Sequence, residues 1–314
     1  KNGWGVEEDY AEAVKWYREA AEQGYAAAQS ALGDCYRFGQ GVEEDDAEAV
    51  KWYREAVEQG YADAQNALGD CYINGLGVEE DHAEAVKWYR KAAEQGDFFA
   101  PYSLGNCYFN GDGVKEDKVE AVRWYRQAAE QGHWDAQRSL ADCYFNGEGV
   151  QANKAEAVKW YKEAAEQVDF DAQYLLGKCY FHGEGVKAYK AEAVKWYKKA
   201  AEHGITEAQD ALGDCYYYGE GVREDKGEAN IWYKAAFDRI EKNARRGDFN
   251  LQIKMVEYYS EGKGGKIDVV KAKEWYCIAQ KTFKNSKVKS SSQKDLLKSA
   301  KLKIKEAKKH SKRK

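Results

Sequence analysis

Cysteine recurs at Cys35, Cys71, Cys107, Cys143, Cys179 and Cys215, and tryptophan at Trp16, Trp52, Trp88, Trp124, Trp160, Trp196 and Trp232, both sets stepping by 36 residues. A short unit that recurs without drift buries its apolar face only by stacking on its neighbours. The spacing therefore predicts one repeat array, where a length of 314 residues would otherwise suggest two or three globular domains. A single proline among many Ala, Glu, Lys, Trp and Tyr residues predicts an all-α chain. Arrays of this kind offer long surfaces to other macromolecules more often than they enclose a catalytic pocket.

One period, residues 62–95, reads as two helices. Ala64, Leu68, Cys71 and Tyr72 fall on one face of the first. The Gly75-Leu76-Gly77-Val78 stretch stops it, because glycine tolerates the positive φ of a helix end and turn. Asp81 is placed to cap the second helix. That helix carries Ala85, Trp88, Tyr89 and Ala92 inward and Glu84, Lys87, Arg90, Lys91 and Glu94 outward, and it ends at Gly96. Alanine and glycine let the backbones approach while tryptophan and tyrosine fill the remaining space.

These residues resemble a known family. Ala28, Leu32, Gly33, Tyr36, Gly39, Gly41, Val42, Asp45, Ala49, Trp52, Tyr53, Ala56 and Gly60 carry the pattern of the Sel-one-like repeat, a relative of the tetratricopeptide repeat, and it recurs over residues 3–236. The tetratricopeptide period is shorter and lacks the Gly-x-Gly-Val loop. The resemblance implies a right-handed α-solenoid of helix-turn-helix repeats whose first helices line a concave side, and a non-enzymatic role as scaffold or adaptor. Residues 1–24 are then a partial repeat holding only a second helix, 25–236 six full repeats, 237–284 a degenerate capping repeat with Trp275 seven residues late, and 285–314 a basic tail.

Several positions depart from the pattern. Asn153 and Tyr189 replace the capping aspartate, Ala141 the first-helix glycine and Val168 the terminal glycine, and Pro101 enters one first helix. Asparagine still caps and tyrosine does not, so the helix after Tyr189 is expected to start less firmly. The chain opens at Lys1, and Asn2-Gly3-Trp4-Gly5-Val6 matches the middle of a unit, so a fragment with its N-terminus upstream is expected.

Charge is unevenly spread. Residues 285–314 hold 12 Lys or Arg against Asp295 and Glu306, a net +10, which leaves −15 on residues 1–284. A nucleic-acid or anionic-membrane tether, an address in residues 308–314, a solvated end, and a tail folded back into an acidic groove all fit this end. Leu297, Ala300, Ile304 and Ala307 follow helical spacing and predict a short amphipathic helix over the last repeat. No aromatic residue follows Phe283, which disfavours sequence-specific RNA recognition by stacking.

Comparison of the units with one another separates framework from variable positions. A stripe on the first helices reads Ala27, Ser30, Asp34; Asp63, Asn66, Asp70; Phe99, Tyr102, Asn106; Asp135, Arg138, Asp142; Asp171, Tyr174, Lys178; Glu207, Asp210, Asp214, nine acids against two bases. Asp63, Asn66, Asp70, Phe99, Tyr102, Asn106, Asp135, Arg138, Asp142, Asp171, Tyr174 and Lys178 are the expected partner-binding residues. If this stripe floors a groove, it is acidic at both ends, aromatic near Phe99, Tyr102 and Tyr174, and suited to a protein or a basic, partly aromatic peptide. A plain solvated helix face fits the same pattern.

Catalytic and cofactor signals are absent from the pattern. The Gly-x-Gly of each unit follows no strand and precedes no Lys-Ser/Thr, so it is read as a turn and not as a phosphate loop. His82, His133, His182, His203 and His310 lack ligand spacing, so neither metal nor cofactor is expected. Ser30, Ser103 and Ser139 lie inside first helices with no elbow turn, and no enzyme is predicted, the minor alternative being hydrolase or regulator activity in a domain outside this fragment. The six periodic cysteines lie about 10 Å apart in a stack, beyond disulfide reach, and free thiols mildly favour a reducing compartment. No apolar run is long enough to span a bilayer.

Overall fold

The computed structural model describes residues 9–286 and 289–311. Residues 2–6, read above as part of a repeat, and residues 312–314 of the basic end lie outside them. The described residues form sixteen α-helices joined by short turns, as the 36-residue period predicts. They divide into two compact units, residues 1–164 and 165–314.

The first unit holds α1 (Tyr10–Glu22), α2 (Ala26–Arg37), α3 (Asp46–Glu58), α4 (Ala62–Asn74), α5 (His82–Glu94), α6 (Ala100–Asn110), α7 (Lys118–Glu130), α8 (Trp134–Asn146) and most of α9 (Lys154–Glu166). Where an aspartate precedes a second helix it accepts from the amide three residues on: Asp45 from Glu48, Asp81 from Glu84, Asp117 from Glu120. Asn153 does the same for Glu156 at 3.1 Å.

The core repeats with the sequence. Leu32, Leu68, Leu104 and Leu140 of the first helices are at most 1% exposed; Leu32 packs with Val14 and Ala21 of α1, Leu68 with Ala49 and Tyr53, Leu104 with Ala85 and Tyr89, and Leu140 with Ala121 and Tyr125 of the preceding second helix. A tyrosine ring lies directly on a first-helix glycine. A Cβ at Gly33 would stand 2.5 Å from Tyr53, and one at Gly69 would stand 2.6 Å from Tyr89. Ala141 brings a methyl group to that place, and Tyr161 is buried there all the same.

The sequence reading put tryptophan and tyrosine together on the inner face, and the structure separates their roles. Tyrosine is buried within its own hairpin, whereas Trp52, Trp88 and Trp124 are half-buried and close the seam against the core of the preceding helix pair. Trp16 is 63% exposed, while Trp196, deep in the repeat series, is 8% exposed. The indole Nε1 of Trp52, Trp88 and Trp124 is buried without a hydrogen-bond partner.

The second unit holds α10 (Phe170–His182), α11 (Lys190–Glu202), α12 (Thr206–Tyr218), α13 (Lys226–Arg245), α14 (Phe249–Glu261), α15 (Val269–Asn285) and α16 (Ser291–Ser311). Tyr189 precedes α11 with no side-chain cap, in line with the sequence expectation. Val168 takes φ 71° where other units place glycine, a left-handed conformation costing an L-residue about 1–2 kcal/mol. The last repeat drifts because α13 runs 20 residues instead of 13. The segment counted as a basic tail is, over α16, a helix seated on α14: Ala300, Ile304 and Ala307 are buried, and Lys303 bridges Glu257 at 3.0 Å and Glu261 at 2.6 Å.

Two glycines with similar backbone angles separate conformational freedom from space. Gly77 (φ 65°) lies so close to the preceding second helix that a Cβ would stand 2.2 Å from the Asp46 carbonyl oxygen, whereas nothing lies within 4 Å of a Cβ at Gly96 (φ 85°). Gly96→Ala should cost only the left-handed strain of about 1–2 kcal/mol. Gly77→Ala must also push two backbones apart and should cost about 3 kcal/mol or more. Urea unfolding of the two variants would show the difference, and equal midpoints would mean that the loop does not rest on its neighbour.

Candidate functional site

In the first unit the variable faces of α2, α4, α6 and α8 enclose a groove of about 920 Å³. Six expected residues meet there: Asp63, Asn66, Asp70, Phe99, Tyr102 and Asp135. Asp34 and Asp97 join them, and the only cation among the lining residues is Arg37, already paired with Asp70 at 3.2 Å. Five carboxylates face one guanidinium.

These acids are held differently. The buried hydroxyl of Tyr53 donates to Asp34 at 2.7 Å, and that of Tyr89 donates to Asp70 at 2.9 Å. Asp97 caps α6 by accepting from the amides of Phe99 at 2.9 Å and Ala100 at 2.6 Å. These three belong to the framework. Asp63 accepts only from the Tyr61 hydroxyl at 3.1 Å, and Asp135 pairs with Arg138 at 2.9 Å, so neither holds a helix start or a buried tyrosine. Burial raises the pKa of Asp34 above the ordinary carboxylate value, with the Tyr53 hydrogen bond opposing, and burial raises Asp97 against its two amide bonds.

One end of the groove is aromatic. The His133 ring stacks on Phe98 with centroids 5.3 Å apart, meets Tyr102 at 4.7 Å and stands edge-on to Phe99 at 5.7 Å, with Trp134 at 6.4 Å. Phe98, Phe99 and Trp134 are exposed, at 41%, 56% and 44%. His133 itself is 5% exposed, and its Nδ1 is buried with no hydrogen-bond partner.

The remaining expected residues stand elsewhere. Asn106 accepts from the Tyr125 hydroxyl at 2.8 Å, Asp142 accepts from Tyr161, and Arg138 serves Asp135. All three lie outside the groove lining. Asp171, Tyr174 and Lys178 belong to the second unit, where Lys178 lies over the Tyr174 ring. Tyr174 lines a separate pocket of about 300 Å³ with Glu207, Asp210, Asp214 and Lys254. Burial first, then Glu207 and Asp210, push its phenol up to about 12.

The expected acidity at the far end of the stripe is overturned. Lys254 pairs with Asp210 and lies 3.7 Å from Asp214, and the buried Lys263 reaches Asp214 at 2.6 Å. The lysines come from the last repeat, which is out of register, so comparison of units could not assign them.

Sequence reasoning also missed Arg37, Phe38, Asp97, Phe98, His133 and Trp134. Phe98 and His133 sit in turns between repeats, which the helical stripe excluded. The 19-residue step from each acceptor to its tyrosine, Asp34 to Tyr53 and Asp70 to Tyr89, was present in the sequence as a signal.

Among the described residues no group of three or more His, Cys, Asp or Glu could hold a metal, and no helix is long and apolar enough to cross a membrane. Burial pushes the Cys71 thiol up to about 11 and those of Cys107, Cys143 and Cys215 to about 12, which disfavours thiolate chemistry at these sites.

The Sel1 repeat model matches the chain at residues 1–25, 26–61, 62–97, 100–133, 134–169, 170–205, 206–239 and 257–279. The chain is similar to a protective antigen of uropathogenic Escherichia coli strains with an SLR fold, at 35% identity and a TM-score of 0.73 over 93% of its own length and 64% of that structure. It therefore spans somewhat less than two thirds of that relative. It is also similar to a Sel1 repeat protein from Oxalobacter formigenes, at 34% identity and a TM-score of 0.62, covering 73% of this chain and 97% of the other. None of the curated proteins compared matches it.

The histidine in the aromatic wall gives a pH test. Burial lowers its pKa below the ordinary 6.5, and Asp135 opposes without reversing this. The folded chain thus prefers neutral His133, while the unfolded chain takes up a proton once the pH falls past that value. Stability is lost on acidification through that window. Replacing His133 with Phe should remove this part of the pH dependence, so melting temperatures of the two proteins, compared from about pH 7.5 to about pH 5, should converge or cross on the acid side. Parallel curves would remove His133 as the source.

Proposed function

Because the chain belongs to the Sel1 repeat family, whose members are typically scaffolds for protein–protein interaction, we propose that its first unit holds a basic, partly aromatic or aliphatic segment of a partner protein in the groove between Asp34 and Asp135. The observation that carries this reading is the convergence of five carboxylates from consecutive repeats on a surface whose only lining cation is already paired. A lysine- or arginine-bearing segment gains from the negative potential. Its apolar residues gain from Phe99 and Trp134, which are exposed beside it.

Chemistry divides the groove into a scaffold and a contact set. Asp34, Asp70 and Asp97 keep the helices in place, so reversing their charge would disturb folding and binding together. Asp63 and Asp135 are the carboxylates whose loss leaves the framework intact. Phe99 and Trp134 supply flat apolar area with little rotamer entropy to lose, which suits them to anchor a partner side chain. The Sel1 repeat fold is generally a non-enzymatic scaffold, and this groove binds without reacting.

A labelled peptide of alternating lysine and leucine, titrated at low ionic strength and followed by fluorescence anisotropy, tests the reading. Asp63→Lys/Asp135→Lys should weaken it at least about tenfold, and Trp134→Ala should weaken it by about 1–2 kcal/mol. A glutamate–leucine peptide should not bind. Equal binding of both peptides, or no change in the charge-reversed protein, would remove the groove as the site.

A further inference from the structure

We infer that the groove takes the outward face of α16 from a second copy of this chain, so that the protein associates head to tail. This rests on the groove reading above and names one partner for it. Residues 1–164 carry a formal charge of −15 and residues 165–314 carry +10, together the −5 of the chain. The excess of each sign is concentrated. The acid-lined groove lies in the first unit, and α16 lies in the second.

The two surfaces match in apolar content as well as in sign. With Ala300, Ile304 and Ala307 turned onto α14, the opposite side of α16 shows Lys298, Lys301, Leu302, Lys305 and Lys309, spaced i, i+3, i+4, i+7 and i+11 along one helical face. Leu302, 57% exposed, stands among four lysines, of which Lys298 also pairs with Asp295 at 2.9 Å. The groove presents the complement: Phe99 and Trp134, exposed and apolar, in one lining with Asp34, Asp63, Asp70, Asp97 and Asp135. Leucine against tryptophan and phenylalanine with lysines against the acids removes apolar area from water and leaves each ammonium beside a carboxylate. Because α16 is already folded against α14, docking it does not carry the cost of ordering a loose tail.

Groove and helix are different surfaces, so one contact leaves a free groove on one copy and a free helix on the other. Such a heterologous contact propagates unless the rotation closes a ring. The inference therefore concerns open-ended association that grows with concentration.

Sedimentation of the full chain over a concentration series at low and at high salt tests this. The weight-average mass should rise with concentration at low salt, and the apparent affinity should fall at least about tenfold at high salt, as screening requires. Lys301→Glu/Lys305→Glu changes two exposed residues that line no core, and Asp63→Lys/Asp135→Lys changes the groove without its structural acids. Each variant alone should lose about tenfold or more in self-affinity. A mixture of the two should associate more tightly than either alone, because a reversed helix then meets a reversed groove.

Four results overturn the inference. The chain could remain a monomer at every concentration. Association could persist unchanged in both variants. Salt-sensitive compaction could appear without concentration dependence, which would mean that the helix meets its own groove. Or the helix variant could lose binding to duplex DNA or to vesicles of anionic lipid while the wild type stays monomeric, which would give the lysine face to another class of partner. If the chain is monomeric but the lysine–leucine peptide still binds, only the self-association fails. If neither occurs, the groove reading fails with it.

Discussion

The buried tyrosine of each second helix makes two demands on the first helix at adjacent positions. Its ring needs the space over Gly33, Gly69, Gly105 or Gly213, and its hydroxyl needs an acceptor at the next residue, Asp34, Asp70, Asn106 or Asp214. A side chain at the glycine would hold the helices apart. A missing acceptor would leave a buried phenol unpaired, at a cost of about 1–3 kcal/mol. Because both conditions fall on consecutive residues of one helix, they fix how deeply the two helices interlock and at what rotation. At Lys178 the acceptor is replaced, and the lysine lies over Tyr174 instead.

This framework decides how much of the stripe's acidity remains available. Asp34 and Asp70 line the groove while tied to the fold, Asp70 with one oxygen on the Tyr89 hydroxyl and the other on Arg37. Asp63 and Asp135 have no such duty. In the second unit the equivalent acids meet lysines of the closing repeat, and the pocket beside Tyr174 is lined by both signs of charge. One chain thus uses the same row of residues as an open acidic surface in one unit and as an internal ion network in the other.

Much of the fold was legible because the repeat compares itself. Helix ends, the capping acids, the missing side-chain cap at Tyr189 and the small residues beneath the aromatics all follow from period and residue type. The division of labour between Trp88 and Tyr89 was not legible, since both stand on the inner side of one helix and only the position of the neighbouring pair shows which one closes the seam. Half of the expected binding residues meet in the groove. Asn106, Asp142 and Arg138 do not line it, since a helical stripe gives a face but not how far along the repeats the groove extends. His133 and Phe98 escaped notice because turn residues have no periodic face. The register shift caused by the long α13 hid Lys254 and Lys263 in the same way.

The cysteine column that announces the repeat has a consequence for reagents. Six of its thiols are buried inside hairpins, and the one outside the pattern, Cys277 on α15, is exposed. Towards an alkylating dye the folded molecule therefore behaves as though it carried a single sulfhydryl, located in the unit that ends the array. A fluorophore or spin label placed there reports on that end of the molecule while the interior stays untouched.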